Sequence, residues 1–174
     1  MRLLSTSTLE LVEFMGEIPP YAILSHTWEE DEVSYQEMQS RAGHTKAGYQ
    51  KIKHCCLIAA SDGFQYAWVD TCCIDKTSSS ELSEAINSMY RWYAEAGVCY
   101  VYLSDVDLRL HSAAAIARLR RSRWFSRGWT LQELIAPASI LFFDRNWQWF
   151  GTKSSFESVI TDITGIDANV LAGK

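Results

Sequence analysis

Four short and continuous apolar runs are spaced along the chain, each rich in β-branched or aromatic residues. They occupy residues 21–24, 66–69, 98–103 and 140–143. Continuous apolar runs, unlike alternating ones, are typical of strands that are covered on both faces, as in a parallel sheet. The pattern therefore predicts four buried strands.

The stretches between these runs carry helical periodicity. Helices are predicted over 48–60, 81–96, 113–121 and 129–136. The second of them has an apolar stripe with helical spacing, made of Leu82, Ile86, Met89 and Tyr93. Its start signal, Ser78-x-x-Glu81, has the spacing of a capping box. Strands that alternate with helices predict right-handed βαβ crossovers, and hence an α/β fold with a doubly wound, mostly parallel sheet flanked by helices.

Length and charge narrow the class of protein. The chain has 174 residues, which suits one domain over 1–174, and a formal net charge of −5. An acidic balance argues against a nucleic-acid partner, because such a protein needs a basic face. No apolar run approaches the ~20 residues of a membrane span, and the N-terminus lacks a signal-peptide pattern. We therefore expect a soluble cytoplasmic protein without a membrane span.

The cysteines agree with a reducing compartment. Four of the five form adjacent pairs, at 55–56 and 72–73, which is not the C-x-x-C spacing of a zinc site. His54 beside the first pair leaves a metal site as the less favoured reading. We expect free and buried thiols and no bound metal.

Polar residues follow each predicted strand directly. They are Ser25, His26, Thr27 and Trp28 after the first, Asp70 after the second, Ser104 and Asp105 after the third, and Asp144 and Arg145 after the fourth. The carboxyl ends of strands in a doubly wound sheet share one rim, where such folds bind ligands. The alternative is that strands simply end in polar loops. A polar rim with indole rings would suit a nucleotide or dinucleotide.

The segment 121–134 combines three arginines, two tryptophans and a single carboxylate, Glu133. The spacing Thr130-x-x-Glu133 is also that of a capping box, so spacing alone favours, by a small margin, a purely structural role for Glu133. Composition and periodicity go no further than an α/β domain with a polar cleft.

Three blocks of sequence, in this order, resemble the fungal heterokaryon-incompatibility (HET) domain. They are YAILSHTW at 21–28, WVDTCCID at 68–75 and RGWTLQEL at 127–134. HET domains are in turn distantly similar to TIR domains, which have a flavodoxin-like α/β fold. The resemblance implies a HET (TIR-like) domain that is part of a longer family architecture and acts in fungal non-self recognition and regulated cell death.

The resemblance to TIR domains also implies an activity. Enzymatic TIR domains cleave NAD⁺ with a glutamate on the helix after the third strand, and 126–134 looks like that setting, with Glu133 on the catalytic position. Thr130 stands where TIR sequences often carry Cys. The loop 75–80 differs in sequence from the mobile loop that follows the second strand of TIR domains. The implied NAD⁺ glycohydrolase needs no cofactor, since NAD⁺ is its substrate. The resemblance also implies two partners, a second copy of this chain and an upstream fungal recognition protein.

We assign roles in that reaction to nine residues. Glu133 would stabilise positive charge developing on the ribose, as in glycoside hydrolysis. The predicted substrate-binding residues are Trp28 and Trp129 for ring stacking, His26, Arg123 and Arg127 for the pyrophosphate, Ser25 and Asp70 for ribose hydroxyls, and Asp75 in the following loop.

Two other functions remain open. One is a non-enzymatic module that signals by self-association, for which exposed tryptophans such as Trp147 and Trp149 would supply an interface. Core packing is the alternative that we favour for these two rings. The other is transfer of the ribosyl group to an acceptor other than water, with the same glutamate.

Overall fold

The computed structural model describes residues 1–107, 109 and 112–173. Its strands are β1 (Arg2–Ser5), β2 (Leu11–Glu13), β3 (Tyr21–His26), β4 (Tyr66–Trp68), β5 (Val98–Tyr102), β6 (Ile140–Phe143) and β7 (Trp149–Thr152). Its α-helices are α1 (Tyr35–Gln39), α2 (Ala47–Ser61), α3 (Asp70–Cys73), α4 (Ser79–Glu95), α5 (Ser112–Leu119), α6 (Thr130–Ile135), α7 (Glu157–Thr164) and α8 (Ala168–Leu171). Short 3₁₀ helices span Ala42–Thr45 and Arg123–Ser126.

The chain divides into two compact units. The first comprises Met1–Leu24 and Trp28–Trp92, and the second comprises Ser25–Thr27 and Tyr93–Lys174. Most of β3 therefore belongs to the first unit, while its last two residues belong to the second. The prediction of a single domain over the whole chain stays a prediction.

In the first unit the strand order is β2-β1-β4-β3. β3 and β4 are parallel, with Tyr21 opposite Tyr66, while β1 is antiparallel to both β2 and β4. Helix α2 lies between β3 and β4 in the chain and packs against β4. Its buried face includes Ile52, Cys56 and Ala59, which the helical pattern placed on one apolar face, whereas Ala60 of the same predicted face is exposed.

In the second unit the strand order is β5-β6-β7. β5 and β6 are parallel, and β7 is antiparallel to β6 with a register shift between Phe142 and Phe143. Aromatic rings fill the core beside β6: Phe142 makes edge contacts with Trp124 and with Phe156. This packing accounts for part of the unusual aromatic content of the chain.

These units confirm the predicted α/β class, with mixed sheets flanked by helices. All four predicted strands and all four predicted helices are present. Three strands were not predicted: β1, β2 and β7, each of them antiparallel to its neighbours.

Two details of α4 differ from the sequence analysis. Ile86 is 45% exposed, and the small Ala85 is buried in its place. The capping box is half formed, because the Ser78 hydroxyl accepts from the Glu81 backbone amide. The Glu81 carboxylate instead accepts from the Asp75 amide and pairs with Arg2.

The five cysteines are buried and free, as predicted. Among the described residues no cluster of three or more His, Cys, Asp or Glu side chains is arranged to hold a metal ion. In the same part of the chain no helix combines the length and apolarity that crossing a membrane requires.

The two tryptophans considered for an interface differ from each other. Trp147 is half-buried and stacks on Tyr102, with 4.6 Å between the ring centroids. Trp149, in β7, is 59% exposed, so the expectation that it packs in the core is wrong. In the strand order of the second unit β7 stands at the end, next to β6.

Candidate functional site

Glu133 lies in the first turn of α6, and its side chain is buried in the second unit. The helix begins at Thr130 with Trp129 at the N-cap position and no side-chain cap. The Thr130 hydroxyl donates to the Trp124 carbonyl instead of capping the helix. The capping-box alternative for Glu133 is therefore wrong, since its carboxylate makes other contacts.

The Glu133 carboxylate is held by three side-chain hydrogen bonds. Arg127 binds it through both guanidinium nitrogens, Nη1 to Oε2 at 2.8 Å and Nη2 to Oε1 at 3.1 Å. The Ser25 hydroxyl donates to Oε2 at 2.5 Å, a length typical of a bond to an ionised acceptor. Only 4% of Glu133 is exposed, so this is a buried ion pair that is hydrogen-bonded on both oxygens.

Ser25 stands at the end of β3 and joins Glu133 to an indole. Trp124 Nε1 donates to the Ser25 hydroxyl oxygen at 2.7 Å. Trp124 is 1% exposed and belongs to the 3₁₀ helix Arg123–Ser126. The result is a buried chain of hydrogen bonds that runs from the indole through the hydroxyl to the carboxylate.

The charge on Glu133 acts on β5 as well. Burial raises the pKa of the Cys99 thiol well above its usual range, and the Glu133 charge raises it further. Lys153 and Arg127 act in the opposite direction. A buried thiol with a raised pKa is a weak nucleophile.

Arg123, predicted to bind a pyrophosphate, pairs with the residues that follow β5. Its backbone amide donates to Asp105 Oδ2 at 2.8 Å, and its Nη2 lies 3.5 Å from the Ser104 hydroxyl. The Ser122 hydroxyl also donates to Asp105, at 2.7 Å. Asp105 therefore fixes the start of the 3₁₀ helix that carries Trp124.

Two more predicted residues of the second unit differ in accessibility. His26 is 1% exposed, so its ring is covered in this conformation. Trp129, at the N-cap position of α6, is 43% exposed.

Three predicted residues lie in the first unit. Trp28 is 50% exposed, and its Nε1 donates to Asp70 Oδ2 at 2.8 Å. Lys76 places its ammonium 5.0 Å from the centre of the Trp28 ring. Asp75 accepts from Gln36 at 2.7 Å and from the Thr77 hydroxyl at 2.6 Å.

The pKa values of Lys76 and Asp75 are both lowered, for different reasons. Burial lowers the pKa of Lys76, and the nearby Asp70 charge opposes that shift. The hydrogen bond from Thr77 is the main reason why the pKa of Asp75 is lowered. Lys76 also donates to the Asp70 and Thr71 carbonyls, so this lysine ties α3 to the loop that follows it.

Some of the predicted residues come into contact within each unit, whereas the contacts described for Arg123 and Asp75 are with other residues. Ser25, Arg127 and Glu133 are in contact in the second, and Trp28 and Asp70 in the first. Sequence reasoning missed Trp124, although it lies in the segment 121–134 that was singled out for its tryptophans and arginines.

Comparisons with known proteins agree with the sequence blocks. A family model described as "Heterokaryon incompatibility protein (HET)" matches residues 21–110. Vegetative incompatibility protein HET-E-1 of Podospora anserina is 51% identical over 165 residues, which cover 91% of this chain and 12% of that protein. The chain thus spans about an eighth of that relative's length. No solved structure matches.

Proposed function

Because the chain belongs to the heterokaryon-incompatibility family, we propose that it acts in fungal non-self recognition, as a TIR-like NAD⁺ glycohydrolase whose activity promotes regulated cell death. The observation that carries the proposal is the Glu133 carboxylate. It is buried, ionically paired and hydrogen-bonded to Ser25, and it has no role as a helix cap. Buried carboxylates held by several side chains occur at functional sites as well as in structural ion-pair networks.

The proposed reaction requires little of the protein. The bond between the anomeric carbon of the ribose and the nicotinamide nitrogen breaks, and nicotinamide leaves with the bonding electrons as a neutral base. Water adds to the anomeric carbon and loses a proton, giving ADP-ribose. The transition state carries positive charge on the ribose, which a carboxylate stabilises where water is scarce.

In this proposal Arg127 exchanges partners when substrate binds. In the structure its guanidinium binds both carboxylate oxygens of Glu133. The pyrophosphate of NAD⁺ carries two negative charges and matches the same bidentate donor geometry. Its binding would draw Arg127 away, so that a carboxylate oxygen of Glu133 becomes free to face the ribose. The exposed Trp129 ring would stack on one of the two bases.

The experiment is an NAD⁺ cleavage assay with chromatographic detection of nicotinamide and ADP-ribose, on dilute and on crowded protein. We expect Glu133→Gln to lower turnover by about a hundredfold or more. Asp162→Asn is the matched control, because it changes an exposed carboxylate in the same unit and should keep full turnover. Full turnover by a folded Glu133→Gln variant would refute the assignment. Mass spectrometry of the products separates hydrolysis from ribosyl transfer.

A non-enzymatic self-association module is the second candidate, and the exposed Trp149 ring favours it. Under this alternative the protein assembles with rising concentration, NAD⁺ stays intact, and Trp149→Ser abolishes assembly without unfolding the chain. Sedimentation velocity on the wild-type protein and on Trp149→Ser, combined with the cleavage assay, decides between the two functions.

A further inference from the structure

The direction of the hydrogen bonds around Ser25 follows from the chemistry of its partners. An indole nitrogen can only donate, so the Ser25 oxygen must accept from Trp124 Nε1. The proton of the Ser25 hydroxyl is then directed to its other partner, Glu133 Oε2. Trp124 thereby fixes the orientation of a hydroxyl that would otherwise rotate.

This chain of hydrogen bonds makes the two carboxylate oxygens of Glu133 inequivalent. Oε2 accepts from both Ser25 and Arg127, at 2.5 and 2.8 Å. Oε1 accepts from Arg127 alone among the described residues, at the longer distance of 3.1 Å. When Arg127 leaves, Oε2 remains held by the protein, while Oε1 is left with free acceptor capacity.

We propose that Trp124 is a positioning residue for Glu133. Trp124 acts through the Ser25 hydroxyl, and Glu133 then presents Oε1 to the substrate ribose. This inference rests on the proposed NAD⁺ glycohydrolase function for its substrate. The hydrogen-bond chain itself is independent of that function. All three members are at least 95% buried, so water does not compete for these bonds and each polarises the next.

The burial of Trp124 alone does not account for this arrangement. Its ring packs edge-on against Phe125 and Phe142, at 4.9 and 6.0 Å between centroids, and a phenylalanine would make similar contacts. The feature that phenylalanine lacks is the indole N–H. Trp124→Phe therefore removes the donor and keeps most of the aromatic packing.

The first test needs no enzymatic activity. In a ¹⁵N–¹H spectrum the Trp124 indole resonance is assigned by its loss in Trp124→Phe. We expect this resonance to shift in Ser25→Ala and also in Glu133→Gln, although Trp124 does not touch Glu133. The indole of Trp149 should stay in place in both variants, and Asp162→Asn should move neither resonance. A Trp124 indole that is unmoved in Ser25→Ala and Glu133→Gln would overturn the proposal.

The second test uses NAD⁺ turnover. We expect Trp124→Phe to lower kcat by about tenfold, the effect of one hydrogen bond, with KM nearly unchanged. In a Ser25→Ala background the same substitution should lower kcat no further, because the hydroxyl that connects Trp124 to Glu133 is already absent. Independent and additive losses would overturn the role of Ser25. If the wild-type protein releases no nicotinamide, the proposed function fails, and the indole spectra still decide whether Trp124 positions Glu133.

Discussion

Truncating Arg127 to alanine should destabilise the protein mainly by leaving the Glu133 carboxylate buried without its cation. Breaking a fully buried pair in this way costs about 3–5 kcal/mol. Here 18% of the Arg127 side chain is exposed, so water partly replaces the guanidinium, and Ser25 still donates to the carboxylate. We therefore expect a loss of about 2–3 kcal/mol in the free energy of unfolding.

The coupling between the two residues distinguishes this cause from lost packing. In a Glu133→Gln background no buried charge remains, so Arg127→Ala should cost about 1 kcal/mol or less. The double-mutant cycle then gives a coupling energy of about 1–2 kcal/mol or more. Urea titration of the four proteins measures it, provided that the slope with denaturant stays constant.

Arg120→Ala supplies the control for this cycle. Arg120 pairs with Asp162 in the same unit at 2.9 Å, but both side chains are about half exposed. An exposed pair of this kind contributes less than about 1 kcal/mol and weakens further with added salt. If Arg127→Ala and Glu133→Gln instead add to within about 0.5 kcal/mol, the pair does not interact as the geometry indicates, and the reasoning fails.

Two further predictions concern the first unit. Hydrogen bonds from Lys46 and from Ser34 lower the pKa of Glu37 from 4.5 to about 2. The stability that this group contributes is fully present above pH 4.5 and is lost as the pH falls toward 2, so Glu37→Gln should flatten the acid side of a urea-midpoint profile. An unchanged profile would contradict this. Burial raises the pKa of the Cys56 thiol to about 12. A disulfide reagent should therefore leave Cys56 unmodified in the native protein and label it after unfolding, and rapid native labelling would count against its burial.

Continuity of apolar residues decided which strands could be predicted. β3 to β6 each contain a continuous apolar run whose residues are nearly all buried, whereas β1, β2 and β7 have three or four residues of mixed exposure. Their antiparallel partners include neighbours in the chain, β1 with β2 and β6 with β7, but such short segments carry neither a long apolar run nor a clear alternation. In α4, the periodicity selected the large Ile86, but the small Ala85 is the residue that fits into the core.

The candidate site was predictable only in part, for a similar reason. Spacing alone favoured a helix cap at Glu133, and the resemblance to a known family pointed to a catalytic carboxylate. The contacts that distinguish the two readings come from Arg127, six residues away, and from Ser25, 108 residues away. The link from Trp124 to Ser25 spans 99 residues, so neither helical nor strand periodicity contains it.

The most direct test of the central proposal is the release of nicotinamide from NAD⁺ by the purified protein and by its Glu133→Gln variant, both shown to be folded. We predict stoichiometric nicotinamide and ADP-ribose from the wild-type protein and a loss of about a hundredfold or more in the variant. Intact NAD⁺ with assembled wild-type protein, or equal turnover by the two proteins, would contradict the role of Glu133.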